Sequence, residues 1–275
     1  MKNKRGQLIL TVILCVILFV SILSTFIYPY LYEYQCKTRH FDEFENGITN
    51  DILESNIVIV KYEEKTSGNV TSFSYSAGAS GVIFYSEDDT YYALTAYHVV
   101  KDVENVEYIV MPYGAPTYLE YRKNNEVYIT SEEFYGQFET AQILYADEEY
   151  DLAVITFKSE KKLSELSISE KNPKYNEKIA VISNPDGERF VHSYGTIRSK
   201  DYYVFNSDDE LLPAKTFKHN AYESHGSSGS AVLNQEMQIV GINIGGGTDF
   251  LHRFKYGAMV PCELIYDFFE KYNIK

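Results

Sequence analysis

The hydrophobic and polar positions along this chain fall into three regimes. From Leu8 to Ile27 nearly every residue is apolar, inside an uncharged run that lasts from Gly6 to Tyr32. Those 20 residues would rise about 30 Å as a helix, the thickness of a bilayer's hydrocarbon core, so the pattern predicts a transmembrane segment over 8–32. A helix apolar on every face has no side to turn to water, and no later helix in the chain could bury it. From about residue 56 the pattern breaks into short runs rich in β-branched and aromatic residues: 57–62, 81–85, 91–95, 106–111, 126–130, 140–145, 152–157, 177–182, 190–197, 211–218, 231–233 and 238–244. Turn residues such as Gly68-Asn69, Asn124-Asn125 and Asn184-Pro185-Asp186-Gly187 separate them, which is the signature of strands. The period changes again after Pro261, where Leu264, Ile265, Phe268, Phe269 and Tyr272 recur at helical spacing and predict a terminal amphipathic helix.

Many short strands at this spacing predict an all-β fold of two barrels or sandwiches. The lysine- and serine-rich stretch 158–171 is the natural divide between them. The expected organisation is therefore an N-terminal segment 1–7, an anchor 8–32, a polar and acidic stalk 33–55, a first β unit 56–165 and a second, with the terminal helix, at 166–275.

Composition sharpens the topology and excludes some partners. The chain is 45% hydrophobic and 23% charged, an ordinary globular balance. Its net charge of −14 lies almost wholly beyond residue 50, where 20 basic side chains face 35 acidic ones, a field that repels nucleic acid phosphates. Lys2, Lys4 and Arg5 precede the apolar run and favour a cytoplasmic N-terminus, with everything after about Tyr32 outside. No alanine occurs before Ala77, so no small-residue signal-cleavage site follows the run, and an uncleaved single-pass anchor in membrane lipid is expected. Tyr28, Tyr30, Tyr32 and Tyr34 suit the outer aromatic belt. The three cysteines, Cys15, Cys36 and Cys262, flank no metal-ligand spacing, and neither a metal nor a cofactor is expected.

Candidate chemistry lies in three segments, Leu94-Thr95-Ala96-Tyr97-His98, Asp151-Leu152-Ala153-Val154-Ile155 and Gly226-Ser227-Ser228-Gly229-Ser230. A serine hydroxyl becomes an effective nucleophile only with an imidazole as general base and a carboxylate that orients the imidazole. His98, Asp151 and Ser228 could fill these roles. Asp147, Glu148 and Glu149 compete for the acid's role, but only Asp151 directly precedes an apolar strand; Ser224, Ser227 and Ser230 crowd the serine, but only Ser228 has glycine at both −2 and +1. His40, His192, His219 and His252 receive no role, and His225 adjoins the serine turn. Ser228, Asp249 and His252 also run in the order used by α/β-hydrolases, yet Ser230 stands where that fold's elbow requires glycine. Gly245-Gly246-Gly247 lacks the Gly-Lys-Ser/Thr of a phosphate loop and reads as a mobile rim or turn.

These segments resemble the signatures of the trypsin-like (chymotrypsin-fold) serine peptidases. Ser80-Gly81-Val82-Ile83-Phe84, Gly195-Thr196-Ile197 and Val240-Gly241-Ile242-Asn243 are similar to bacterial members, especially the HtrA-like and glutamyl-endopeptidase-like branches. The resemblance covers roughly residues 56–272. It implies two antiparallel six-stranded β-barrels with the site between them, and a serine endopeptidase acting on polypeptide substrates through an acyl-enzyme. His98 would be the base, Asp151 its orienting acid, Ser228 the nucleophile, and the N–H groups of Gly226 and Ser228 the oxyanion hole. Asn243, Ile244 and Gly245 would lie on the strand that pairs with substrate. Glutamate-selective relatives carry a histidine where this chain has Asn243, which argues against that specificity, and the PDZ domain usual in HtrA-like proteins has no expected counterpart after the terminal helix. The competing expectation is a catalytically silent, protease-like binding protein at the cell surface.

Overall fold

The computed structural model describes residues 2–68, 70–101, 104–125, 128–206 and 214–274. The chain opens with a 37-residue helix, α1 (Lys2–Thr38), followed by the short helices α2 (Asp42–Glu45) and α3 (Asn50–Glu54). The first sheet region then contains β1 (Asn56–Ser67), β2 (Val70–Tyr75), β3 (Ala79–Glu87), β4 (Thr90–Thr95), α4 (Tyr97–Val100), β5 (Val106–Pro112), α5 (Tyr118–Asn125), α6 (Ser131–Tyr135), β6 (Glu139–Thr140), β7 (Gln142–Asp147) and β8 (Leu152–Lys158). The second holds β9 (Lys178–Ser183), β10 (Val191–Thr196), β11 (Tyr203–Phe205), β12 (Ala214–His219), β13 (Ala231–Leu233), β14 (Ile239–Thr248), β15 (Phe254–Pro261) and α7 (Cys262–Tyr272).

The strands form two curled antiparallel sheets, as expected, but with different membership from the predicted six and six. The first has eight strands in the order β6-β5-β1-β3-β4-β8-β7 with β2 beside β1; the second has seven, β10-β9-β13-β14-β15-β12-β11. Strand β15 was not anticipated, nor was the passage of β14 through Gly245, Gly246 and Gly247, which pair with Ala258, Gly257 and Tyr256 rather than forming a loose rim. Close packing explains the glycines. A Cβ on Gly246 would lie 2.1 Å from Glu223 Oε1, and one on Gly247 would lie 2.4 Å from the Tyr256 ring.

The expected strand over 126–130 is not formed by its described part. Residues 126–127 and, in another expected strand, 211–213 lie outside the described residues. Thr130 instead caps α6: its hydroxyl accepts from the Glu133 N–H while the Glu133 carboxylate accepts from the Thr130 N–H. This Thr-x-x-Glu capping box was visible in the sequence and outweighs the β propensity of the preceding residues.

The expected stalk is also corrected. Helix α1 continues to Thr38, and the residues after it fold back onto the second sheet, burying Phe44 completely among Phe41, Ala180, Tyr194 and Met237. Removing a phenyl ring so enclosed costs about 3–5 kcal/mol, so this connection is integral to the fold. A continuous core joins the two sheets: Val82, Leu94 and Val154 of the first pack in one cluster with Ile182, Ala231 and Ile242 of the second and with Ile265 and Phe268 of α7. Asp147, one of the sequence competitors for the catalytic acid, accepts from Lys271 Nζ at 2.6 Å and Tyr272 Oη at 3.0 Å and thereby ties β7 to α7. Cys36 and Cys262 are both free and buried, so no disulfide joins them.

Candidate active site

His98 is set by the junction between β4 and α4. Strand β4 is buried through Ala93, Leu94 and Thr95, and the chain turns at Ala96 into the short helix that carries the imidazole. Asp151 sits just before β8 in the left-handed region, at φ 51°, a conformation that aspartate tolerates better than most residues. Because β4 and β8 are paired neighbours, with Thr95 opposite Ala153, the two side chains meet at one end of the sheet. Asp151 Oδ1 accepts from the His98 backbone N–H at 3.0 Å, and His98 Nδ1 lies 3.0 Å from Oδ1 and 2.9 Å from Oδ2. A carboxylate only accepts, so Nδ1 carries the ring proton and Nε2 presents its lone pair. The side chains are 17% and 4% exposed, which leaves the imidazole reachable and its acid enclosed.

Ser228 comes from the opposite sheet, in a turn enforced by two glycines. Gly226 has φ +97° and Gly229 has φ +85°, both in the left-handed region. Substitution is further opposed by contact, because a Cβ on Gly229 would stand 2.1 Å from Ser80 O and 2.2 Å from Thr95 Oγ1. Those two neighbours belong to β3 and β4, so the serine turn lies against the strand end from which His98 projects.

Ser80 fastens the contact. Its N–H donates to Ser228 O at 2.9 Å, its hydroxyl donates to Gly226 O at 2.8 Å, and the Asn184 N–H and Nδ2 donate to that hydroxyl at 3.1 and 3.0 Å. The other serines of the turn are turned inward or otherwise occupied: Ser227 Oγ donates to Ser183 Oγ, Ser224 Oγ donates to Asp186 Oδ1, and Ser230 is fully buried. Among the described residues Ser228 Oγ makes no hydrogen bond, including none to His98 Nε2, and the N–H groups of Gly226 and Ser228 have no acceptor. The His225 carbonyl points away, accepting from Asp186 N at 2.6 Å.

Beyond the turn lies the strand expected to meet substrate. Strand β13 covers β14 only as far as Ile242, and from Ile244 onward β14 pairs with β15 alone, which leaves one edge open beside Ser228. Asn243 and Ile244 turn their side chains inward, at 0% and 3% exposure, so any contact with a peptide here is through the backbone of Ile244 and Gly245. The Asn243 amide is engaged elsewhere: Nδ2 donates to Ser227 O and Glu223 Oε2, both at 3.3 Å, while His219 Nε2 lies 3.0 Å from Oδ1.

Sequence reasoning assigned no role to Glu223 or His219, since nothing in their local spacing reveals that they converge on one asparagine. Burial pushes the Glu223 carboxyl up to about 7, assisted by the nearby Asp186 charge and opposed by the Asn243 amide. Burial drives His219 down to about 4 despite its bond to Asn243. Among the described residues no lysine or arginine pairs with Glu223. The one cluster there with metal-ligand spacing, His40, Asp42 and Glu45, is exposed and remote from this site in the chain.

Comparison with known proteins agrees with this architecture. Two solved proteases share the fold: the inactive form of the Rv3671c protease (TM-score 0.57, 15% identity, covering 82% of this chain and 93% of that one). The second is the HtrA-type protease AlgW with a decapeptide, at TM-score 0.60 and 16% identity, covering 84% and 67% of the two chains. Proteins of Staphylococcus aureus described as serine protease HtrA-like, from strains USA300 and COL, are 28% identical over 171 residues, 59% of this chain. The chain spans only 19% of the length of those relatives. Residues 79–242, more than half of the chain and including His98, Asp151 and Ser228, match the trypsin-like peptidase domain, and the chain therefore belongs to that family.

Proposed function

We propose that the chain is a membrane-anchored serine endopeptidase that cleaves polypeptides by a Ser228–His98–Asp151 triad through an acyl-enzyme. The observation that carries this reading is the His98–Asp151 pair, with both carboxylate oxygens within 3.0 Å of Nδ1, set opposite a serine whose hydroxyl, among those described in its turn, is neither hydrogen-bonded nor buried. His98 Nε2 takes the Ser228 proton as Oγ attacks the scissile carbonyl carbon, and Asp151 stabilises the resulting imidazolium. The N–H groups of Gly226 and Ser228 receive the negative charge on the carbonyl oxygen. Collapse of the tetrahedral adduct breaks the C–N bond, with the His98 proton passing to the departing amine. In the second half His98 takes a proton from water as its oxygen adds to the ester carbon, and collapse breaks the bond to Ser228 Oγ, which receives that proton back from His98.

The open edge of β14 from Ile244 suits an extended peptide, which would add as a further strand. Glu223 Oε1 lies against Gly246 of this strand, and once its carboxyl ionises above about 7 like-charge repulsion disfavours an acidic substrate side chain there. Helix α1 contains a stretch with a mean hydropathy of 2.9 and none of it buried, long and apolar enough to cross a membrane. With Lys2, Lys4 and Arg5 inside, the catalytic unit would lie outside the cytoplasmic membrane.

The absent Ser228–His98 hydrogen bond also suits a silent, protease-like binding protein, although such bonds often tighten only when substrate arrives. A fluorophosphonate probe separates the two. The full-length protein is expected to be labelled and to cleave casein, and Ser228→Ala to lose both. Undiminished hydrolysis by Ser228→Ala would overturn the triad, and absence of labelling in the unmodified chain would favour the silent protein.

A further inference from the structure

The connection between β14 and β15 presents an apolar tip that the catalytic reading leaves unused. Residues 249–252 make a closed turn: Asp249 Oδ1 accepts from the N–H groups of Leu251 and Arg253, and Asp249 Oδ2 pairs with Arg253 Nε at 2.8 Å and Nη2 at 2.7 Å. The charges of the turn thus neutralise each other, while Phe250 and Leu251 remain 65% and 45% exposed. The depth of this tip relative to α1 is fixed by direct contacts. The Phe250 and Phe26 rings meet edge to face at 6.1 Å, and Arg253 Nη1 donates to Phe26 O at 2.6 Å. Further along the helix the Phe254 N–H donates to Glu33 Oε2, Lys37 lies over the Tyr222 ring, and Arg39 Nη1 donates to Asn220 O. Helix α1 is therefore held against the second sheet region from Phe26 to Lys37, a span of about 17 Å at 1.5 Å per residue, with Arg39 fastened just past its end.

Phe26 stands one position before the end of the apolar run 8–27, so its partner Phe250 lies at the level where the hydrocarbon layer gives way to headgroups. We infer that the β14–β15 turn is a second membrane contact, with Phe250 and Leu251 inserted into the outer leaflet of the bilayer that α1 crosses. This rests on the anchor reading of α1. The occupant is lipid because the helix that fixes the tip is itself enclosed by lipid at that depth, and because an apolar tip flanked by an internally paired Asp249–Arg253 costs little to desolvate. Phe250 is five positions beyond Gly245, at most about 17 Å even for a fully extended path, so the open edge of β14 works close to the membrane surface and favours segments of substrate that emerge there.

The chain contains no tryptophan, so a single introduced one reports its own surroundings. Full-length Phe250→Trp, Phe19→Trp and Tyr128→Trp proteins, reconstituted in phosphatidylcholine vesicles, can be compared with and without brominated acyl chains. Phe19→Trp reports the anchor itself, and Tyr128→Trp reports a site between α5 and α6, where Tyr128 is 85% exposed. Emission from Phe250→Trp is expected to be lost to bromine placed near the headgroups, that from Phe19→Trp to bromine placed deep, and that from Tyr128→Trp to neither. Quenching of Phe19→Trp with none at Phe250→Trp overturns the second contact and leaves the anchor standing. If Phe19→Trp escapes quenching, the anchor fails and the second contact falls with it.

Discussion

His98 stands at the mouth of the cleft with both oxygens of Asp151 on its Nδ1, whereas His219 lies fully enclosed beside β15 with the neutral amide oxygen of Asn243 on its Nε2. Each imidazole has one nitrogen held by an oxygen acceptor, but the acceptors differ in charge and the surroundings differ in water. Beside His98 stands a carboxylate, with solvent nearby. A proton arriving on His219 would make an unpaired buried cation, which is why that ring stays neutral down to about 4. The contrast separates the proposed general base from a ring built to hold a strand in place. His219 orients Asn243, whose Nδ2 in turn donates to Ser227 O, and the Asn243 carbonyl accepts from the Gly229 N–H at 2.7 Å, so the buried histidine supports the turn that carries Ser228.

The contrast can be broken most decisively at His98. His98→Ala is expected to lower kcat on a peptide or casein on the order of 10⁶-fold with little change in thermal midpoint. A loss no larger than that of a His219 substitution would remove the distinction. Asp151→Asn should cost about 10⁴-fold, because an amide can present its NH₂ to Nδ1 and stabilise the wrong tautomer, with the chain still folded; near-normal kcat would show that orientation of His98 does not depend on the carboxylate. His219→Ala acts through stability instead. It opens a cavity and leaves Asn243 Oδ1 without a donor, so denaturant unfolding should show a loss of about 2–4 kcal/mol at unchanged m while fluorophosphonate labelling of the folded protein persists. An unmoved midpoint would show that the buried ring is dispensable.

The two histidines also differ in how much of their role could be read in the chain. His98, Asp151 and Ser228 each sit in a contiguous segment whose local pattern, a strand end or a glycine-framed turn, carries the information, so their candidacy was legible. The apolar N-terminal helix and the terminal helix were legible for the same reason. His219, Glu223 and Asn243 converge from β12, the turn approach and β14, and period-two alternation does not reveal which inward side chains will touch. Strand β15 was hidden because its pairing with β12 is non-local and its hairpin with β14 is interrupted by the 249–252 turn. The glycines at 245–247 suggested a loop when viewed alone; their necessity comes from Glu223 and Tyr256 crowding them from other segments. The supposed stalk was misjudged because its polar composition masks Phe41, Phe44 and Ile48, which find their apolar partners only on the second sheet.

The smallest effect tests the buried network by its opposing pH responses. Glu223 rises from an ordinary 4.5 to about 7 in the folded protein, so the folded state binds the extra proton; that stabilisation is complete below about 4.5 and is lost as pH rises through about 7. His219 falls from 6.5 to about 4, so the unfolded state binds the extra proton; its contribution is complete above about 6.5 and is lost as pH falls through about 4. Between about 4.5 and 6.5 the two slopes, each at most about 1.4 kcal/mol per pH unit, act in opposite directions and cancel in the unmodified chain. Glu223→Gln removes one and should make stability climb with pH relative to the unmodified protein, whereas His219→Gln should make it decline. Urea unfolding at intervals across this window measures both differences, with the remaining carboxylates common to all three proteins. Parallel pH profiles would mean that neither group changes its proton affinity on folding, and the contrast between an imidazole beside a carboxylate and one held neutral would then lose its energetic basis.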